Sequence, residues 1–105
     1  MTGTERFAEL REEWDFRPNV TKSTMMGYPC LRVNGDFFAC ADKTGDFLIV
    51  KLSKDRVLDA IDAGEAVPFA PNGRTFKEWA AIPAARMDEW PRWVDEAHAF
   101  VSAKG

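Results

Sequence analysis

"CLRVNGDFFACADKTGDFLIVKLSKD", residues 30–55, holds three apolar runs, two turn signals and both cysteines of the chain. Asn34-Gly35 is a strong hairpin signal. A type I′ turn needs left-handed backbone at both central residues, and Asn and Gly tolerate it best. The turn joins YPCLRV (28–33) to DFFACA (36–41). DKTGD (42–46) then reverses the chain into FLIVKL (47–52), where Leu48, Val50 and Leu52 share one face with period two. The stretch predicts a three-stranded antiparallel meander.

The cysteines depend on register. A two-residue turn sets Cys30 opposite Ala39, Cys40 opposite Pro29 and Phe38 opposite Leu31, so the two sulfurs leave opposite faces. A three-residue turn with a bulge would instead set Cys30 opposite Cys40, and spacing alone allows both. The reading adopted is the first. Cys40 then joins Leu31, Val33 and Phe38 on an apolar face, and Cys30 joins Arg32, Phe37 and Ala39 on a mixed one. Both are expected to be unbonded packing residues, with Cys30 the more reactive thiol. A directly cross-strand disulfide would be unusual geometry, and free cysteine commonly serves as a small buried hydrophobe.

Outward from the meander, TERFAELREEW (4–14) reads as a helix. Phe7, Leu10 and Trp14 form its stripe, and Thr2 with Glu5 fits a capping box. Val20 to Met26 reads as the start of a strand, bent at Gly27–Pro29. Ser53 is an N-cap for KDRVLDAIDAG (54–64), with Val57, Leu58 and Ile61 as its buried stripe and Gly64 as its stop. Pro68, Pro71 and Asn72-Gly73 mark a loop. TFKEWAAI (75–82) reads as a further strand. In the last helix, 88–104, Trp90, Trp93, Val94, Ala97, Phe100 and Val101 give the cleanest amphipathic pattern in the chain. The order α-β-β-β-α-β-α predicts one α+β domain over residues 1–105: an antiparallel sheet with its helices mainly on one face.

A chain of 105 residues, 46% hydrophobic and 30% charged, fits one globular domain with a real core. No apolar run approaches the ~20 residues of a membrane span. The first turns mix charge throughout, unlike a signal peptide, so a cytoplasmic location is expected, with no membrane partner. Net charge is −3. Nucleic-acid affinity is largely phosphate neutralisation, so the overall balance disfavours it. It leaves a local patch of Arg32, Lys51, Arg74 and Lys77 as the place where such binding would occur.

No catalytic, metal or cofactor constellation emerges. Two cysteines and the single His98 do not make a zinc pattern, and His98 lies at the edge of a helix stripe. Asn72-Gly73-Arg74 reads as turn chemistry. Asp42, Asp46, Asp55, Asp59 and Asp62 fall on turns and on a polar helix face, without EF-hand spacing. Trp14, Trp90 and Trp93 belong to core stripes. Trp79 differs: with Ala80 and Ile82 facing inward, it points to the other side, and an exposed Trp is a favoured interface anchor.

Residues 25–83 resemble the TfoX/Sxy N-terminal domain family. The resemblance rests on Met25 or Met26 with Gly27, Phe38-Ala39, Val50-Lys51-Leu52, Pro68-Phe69, Gly73-Arg74 and Lys77-Glu78-Trp79, in that order. Phe76 stands where Met is common. The flanking helices, 4–14 and 88–103, extend the resemblance over nearly the whole chain. The YjbR-like family is the nearest alternative. The resemblance implies an α+β fold in a stand-alone, single-domain member, and a link to transcriptional regulation of natural competence. It carries over no catalytic residue. The function expected is a non-enzymatic interaction module acting through a protein partner, with Arg32, Lys51, Arg74, Lys77 and Trp79 as the interaction surface. A homodimer is compatible with it. Direct nucleic-acid binding through the basic patch is the alternative, and a small thiol-dependent or ligand-binding protein the third reading.

Overall fold

A computed structural model describes residues 1–25, 27–71 and 73–104. The expectations for Met26 and Asn72 concern positions outside these residues. Helix α1 spans Gly3–Trp14. It is followed by β1 (Val20–Met25), β2 (Tyr28–Val33), β3 (Asp36–Ala41), β4 (Phe47–Lys51), helix α2 (Lys54–Asp62), the short β5 (Val67–Pro68) and β6 (Trp79–Pro83). A 3-10 segment, Ala84–Glu89, leads into α3 (Trp90–Lys104). The fold is α+β. Six antiparallel strands lie in the order β1-β2-β3-β4-β6-β5.

The local signals act as their chemistry requires. Thr2 and Glu5 form a reciprocal capping box at α1, with bonds of 2.9 and 3.1 Å. The Ser53 hydroxyl accepts from the Arg56 N–H at the start of α2. Asn34 (φ 54°) and Gly35 (φ 86°) both adopt the left-handed backbone of the hairpin turn. Asp42 organises the β3–β4 reversal by accepting from the Phe47 N–H at 3.0 Å.

All three helices cover one face of the sheet. Phe7, Leu10 and Trp14 of α1, Val57 and Ala60 of α2, and Trp90, Trp93, Val94, Ala97 and Val101 of α3 pack there. They meet Leu31, Val33, Phe38, Leu48, Val50, Leu52, Ala80 and Ile82 from the sheet. A smaller cluster of Cys30, Cys40, Ile49 and Ala81 lies on the other face, with Tyr28, Phe37, Phe47, Phe69 and Trp79 against it.

Four local expectations change. Residues 20–33 are not one bent strand: the chain reverses, with Met25 opposite Tyr28, and Gly27 supplies a positive φ of 85°. Pro29 is accommodated in β2 because the ladder to β3 begins only at Cys30. Of the expected stripe, Val57 is buried and Ile61 packs partly buried against the core, but Leu58 is 53% exposed, and Ala60, three residues after Val57, is buried in its place. The strand expected from residue 75 starts at Trp79, because Phe76 N–H bonds back to the Phe69 carbonyl and Trp79 N–H to that of Phe76. The preceding loop also contributes the two residues of β5.

The fourth change concerns the cysteines. Next to the turn the two-residue register holds, with Val33 opposite Asp36 and Arg32 opposite Phe37. A bulge follows: Leu31 faces Ala39 and Cys30 faces Cys40. Phe38 is the extra residue, so Phe38 and Ala39 both enter the helix-covered core. The Phe38 ring lies 5.6 Å from Trp14 and 5.4 Å from His98, between centroids. Both cysteines are free and buried, as expected, but on the same face.

The outer strands are blunted. Arg11 of α1 donates to the Ser23 carbonyl on β1 at 3.1 Å, and Lys22 pairs with Glu12 at 2.9 Å. At the opposite edge β5 is two residues long and ends in Pro68. No helix among the described residues is long and apolar enough to cross a membrane.

Trp93 is fully buried, with the guanidinium groups of Arg56 and Arg92 each 4.8 Å from its ring. Trp93→Ala is expected to cost ~3–5 kcal/mol, a large share of a typical ~5–15 kcal/mol stability. Urea denaturation measures it, and an unchanged midpoint would contradict the packing. His98 also carries a linkage to pH. Burial, with Arg17 nearby and Asp95 opposing, holds its pKa below the ordinary 6.5. The unfolded chain therefore binds the proton first. This contribution to stability is complete above pH 6.5 and lost as pH falls through the lower folded value. The urea midpoint of the wild type should drop in that window, and His98→Gln should flatten the drop. Equal slopes would show that the imidazole is not shielded.

Candidate functional site: the helix-free sheet face

Register places one row of residues across the whole sheet on the face without helices: Ser23, Cys30, Cys40, Ile49, Ala81 and Val67. On one side of this row lie Tyr28 and Phe47. On the other, Arg32 stands opposite Phe37 and Lys51 opposite Trp79. Each cation rests on an aromatic ring. The Arg32 guanidinium is 4.1 Å from the Phe37 centroid and the Lys51 ammonium 5.7 Å from that of Trp79. Such contacts are electrostatic attractions to the ring face and leave the donors free for a further partner.

These four side chains, with Gly35, Asp36 and Val101, line an open hollow of about 350 Å³. Arg32 and Lys51 form no salt bridge among the described residues, although eight such contacts tie up other charges. The Arg32 Nε is buried without a hydrogen-bond partner. A buried guanidinium donor left unpaired is costly, so an incoming acceptor would relieve an existing penalty.

The surface expected from sequence divides. Arg32, Lys51 and Trp79 come together in this hollow. Arg74 and Lys77 are exposed on the loop before β6 and do not join the sheet face. Lys77 instead borders a second, apolar hollow of about 470 Å³, with Leu58, Ile61, Phe76 and Lys54 among its walls. The Phe69 and Phe76 rings, 5.7 Å apart, fold the loop back on itself and draw Arg74 and Lys77 away from the strand. Phe37 was missed as a partner of Arg32. The Asn34-Gly35 turn was a sufficient signal for it, since a two-residue turn sets residues 32 and 37 opposite.

The thiols sit under this surface. The Cys30 Sγ donates to the Tyr28 carbonyl at 3.3 Å. Hydrogen bonding from Cys40 lowers the Cys30 pKa, helped by a backbone bond from Met25 and by Arg11 and Arg32, against burial. The same hydrogen bond, with burial, pushes the Cys40 pKa up. The described residues contain no group of three or more His, Cys, Asp or Glu placed to hold a metal ion.

Comparison with family models, curated proteins and solved structures finds no match to this chain.

Trp79 is half-buried, whereas Trp14, Trp90 and Trp93 are buried. Iodide should therefore quench mainly Trp79, and more effectively than caesium, because Lys51 and Arg32 raise the local potential. Trp79→Phe should remove most of the quenching, and Lys51→Ala should narrow the gap between the two ions. Equal quenching by both ions in the wild type would contradict a cationic hollow.

Proposed function

We propose that the protein is a non-enzymatic interaction module that binds a protein partner on the helix-free face of its sheet. A carboxylate of the partner sits between Arg32 and Lys51, and an apolar or aromatic neighbour packs on Phe37 and Trp79. The carrying observation is the pair of cations on aromatic rings, one with an unpartnered buried Nε, at an open hollow of the sheet. Trp and Arg are favoured interface anchors, and a charge-assisted bond to a carboxylate satisfies the guanidinium. The resemblance to the TfoX/Sxy N-terminal domain, through Val50-Lys51-Leu52 and Lys77-Glu78-Trp79 among other segments, supports a role as an accessory regulator of transcription.

A second reading has an observation of its own. Aromatic side chains beside cations on a sheet face also make a stacking platform for single-stranded nucleic acid. The net charge of −3 weighs against it.

A displayed random-peptide library selected on the wild type separates the two. Enriched peptides should carry Asp or Glu next to an aromatic or apolar residue. Arg32→Ala and Lys51→Ala should each weaken a selected peptide by roughly tenfold or more, the scale of a hydrogen bond to a charged group. Peptides lacking acids, or affinities untouched by either substitution, would overturn the protein-partner reading. Tight binding of single-stranded oligonucleotides, falling steeply with salt, would establish the nucleic-acid reading in its place.

A further inference from the structure

We propose that Cys30 and Cys40 form a thiol-oxidation site, in which hydrogen peroxide converts the cross-strand dithiol to a disulfide between β2 and β3. The bulge at Phe38 brings the two residues directly opposite each other. Opposed Cα atoms in an antiparallel pair lie about 4.5 or about 5.5 Å apart. Either value falls inside the ~4.4–6.8 Å span that a disulfide bridges. The bond therefore needs side-chain rotation and no slip of the strands. A register without the bulge would send the sulfurs to opposite faces and forbid it.

The two thiols take unequal parts. Cys30 has Arg11 and Arg32 in its surroundings and a thiol neighbour able to donate a hydrogen bond to its thiolate. Burial disfavours the Cys40 thiolate. The guanidinium groups near Cys30 make it the attacking sulfur and Cys40 the resolving one. The Cys30 thiolate attacks one peroxide oxygen. An S–O bond forms, the O–O bond breaks, and hydroxide leaves, taking a proton to become water. The sulfur has lost two electrons and is a sulfenic acid. The Cys40 sulfur then attacks the Cys30 sulfur. An S–S bond forms, the S–O bond breaks, and the departing hydroxide takes the Cys40 proton as a second water. One peroxide yields one disulfide and two waters.

Both thiols are buried, at 0% and 2% exposure. No helix covers them: the lid is made of side chains, Tyr28, Phe37, Phe47, Phe69 and Trp79, all partly exposed. Side-chain rotation is much faster than opening of the sheet, so a small neutral peroxide has a route that a bulky reagent lacks. The next pair along β2 and β3 is Arg32 with Phe37. Oxidation thus acts immediately beside the proposed docking hollow, yet the test requires no partner.

The native protein is treated with hydrogen peroxide, quenched with catalase, denatured and alkylated, with untreated protein and free glutathione as controls. The expected product is monomeric, has lost two hydrogens in mass, takes up no alkylating reagent, and yields a Cys30–Cys40 linked peptide; dithiothreitol restores both thiols. Cys40→Ser should stop at a Cys30 sulfenic acid trapped by dimedone. Cys30→Ser removes the attacking sulfur, so Cys40, whose thiol burial alone still disfavours ionising, should remain alkylatable after the same exposure. Three results would overturn the proposal: two alkylatable thiols after an exposure that fully oxidises glutathione, intermolecular disulfides in place of the internal one, or a trapped sulfenic acid on Cys40 alone. Circular dichroism of each variant shows whether its sheet is retained. The wild-type mass shift tests the site even where a variant fails to fold.

Discussion

One extra residue in β3 sets the arrangement of both layers. Before the bulge, alternation would place Phe38 and Ala39 on opposite faces. With Phe38 as the bulged residue, both enter the helix-covered core, and Phe38 packs against both Trp14 of α1 and His98 of α3. The two terminal helices are thereby joined through a sheet residue, and Trp14 and His98 also meet directly, 4.9 Å apart. The same displacement turns Cys40 to the side of Cys30. Aromatic contact in the core and thiol pairing on the far face are two results of a single irregularity, so neither can be changed without the other. Bulges generally re-aim side chains in this way.

The helix-free face is best understood through what its charges lack. Several cations of the helices and outer strand have carboxylate neighbours: Arg56 with Glu96, Arg92 with Glu65 and Glu89, Lys22 with Glu12. Arg32 and Lys51 have aromatic rings instead. A ring attracts a cation yet accepts no full hydrogen bond, so the donors stay poised for an acceptor while the stem stays packed. That condition suits recognition better than stability.

Much of the fold was legible, and the reasons are local. Asn34-Gly35, the Thr2–Glu5 box, the Ser53 cap and the stripe from Trp90 to Val101 all act within a few residues, and each did as its chemistry dictates. What the sequence hid was set at long range. The bulge has no signature, because what favours it is the contact of Phe38 with Trp14 and His98, supplied by segments far away in sequence. The shortened last strand depends on Phe69 meeting Phe76. Leu58 reads as core by pattern, but the face α2 turns to the core carries Val57 and Ala60, and Leu58 is exposed. At the candidate site, Arg32, Lys51 and Trp79 were found by side chain and face. Arg74 and Lys77 were separated from them by that same loop closure.

The blunted edges of the sheet restrict how this protein can be approached. An extended peptide often joins a sheet by adding a strand, taking its affinity from main-chain hydrogen bonds along an open edge. Here one edge is occupied by Arg11 at the Ser23 carbonyl and by the charge of Lys22, and the other is two residues ending in a proline. Backbone templating is hindered at both edges, which also guards the strands against pairing with copies of themselves. Recognition is then favoured broadside, through side chains. A partner would be chosen by its chemical groups and their spacing rather than by its willingness to become a strand.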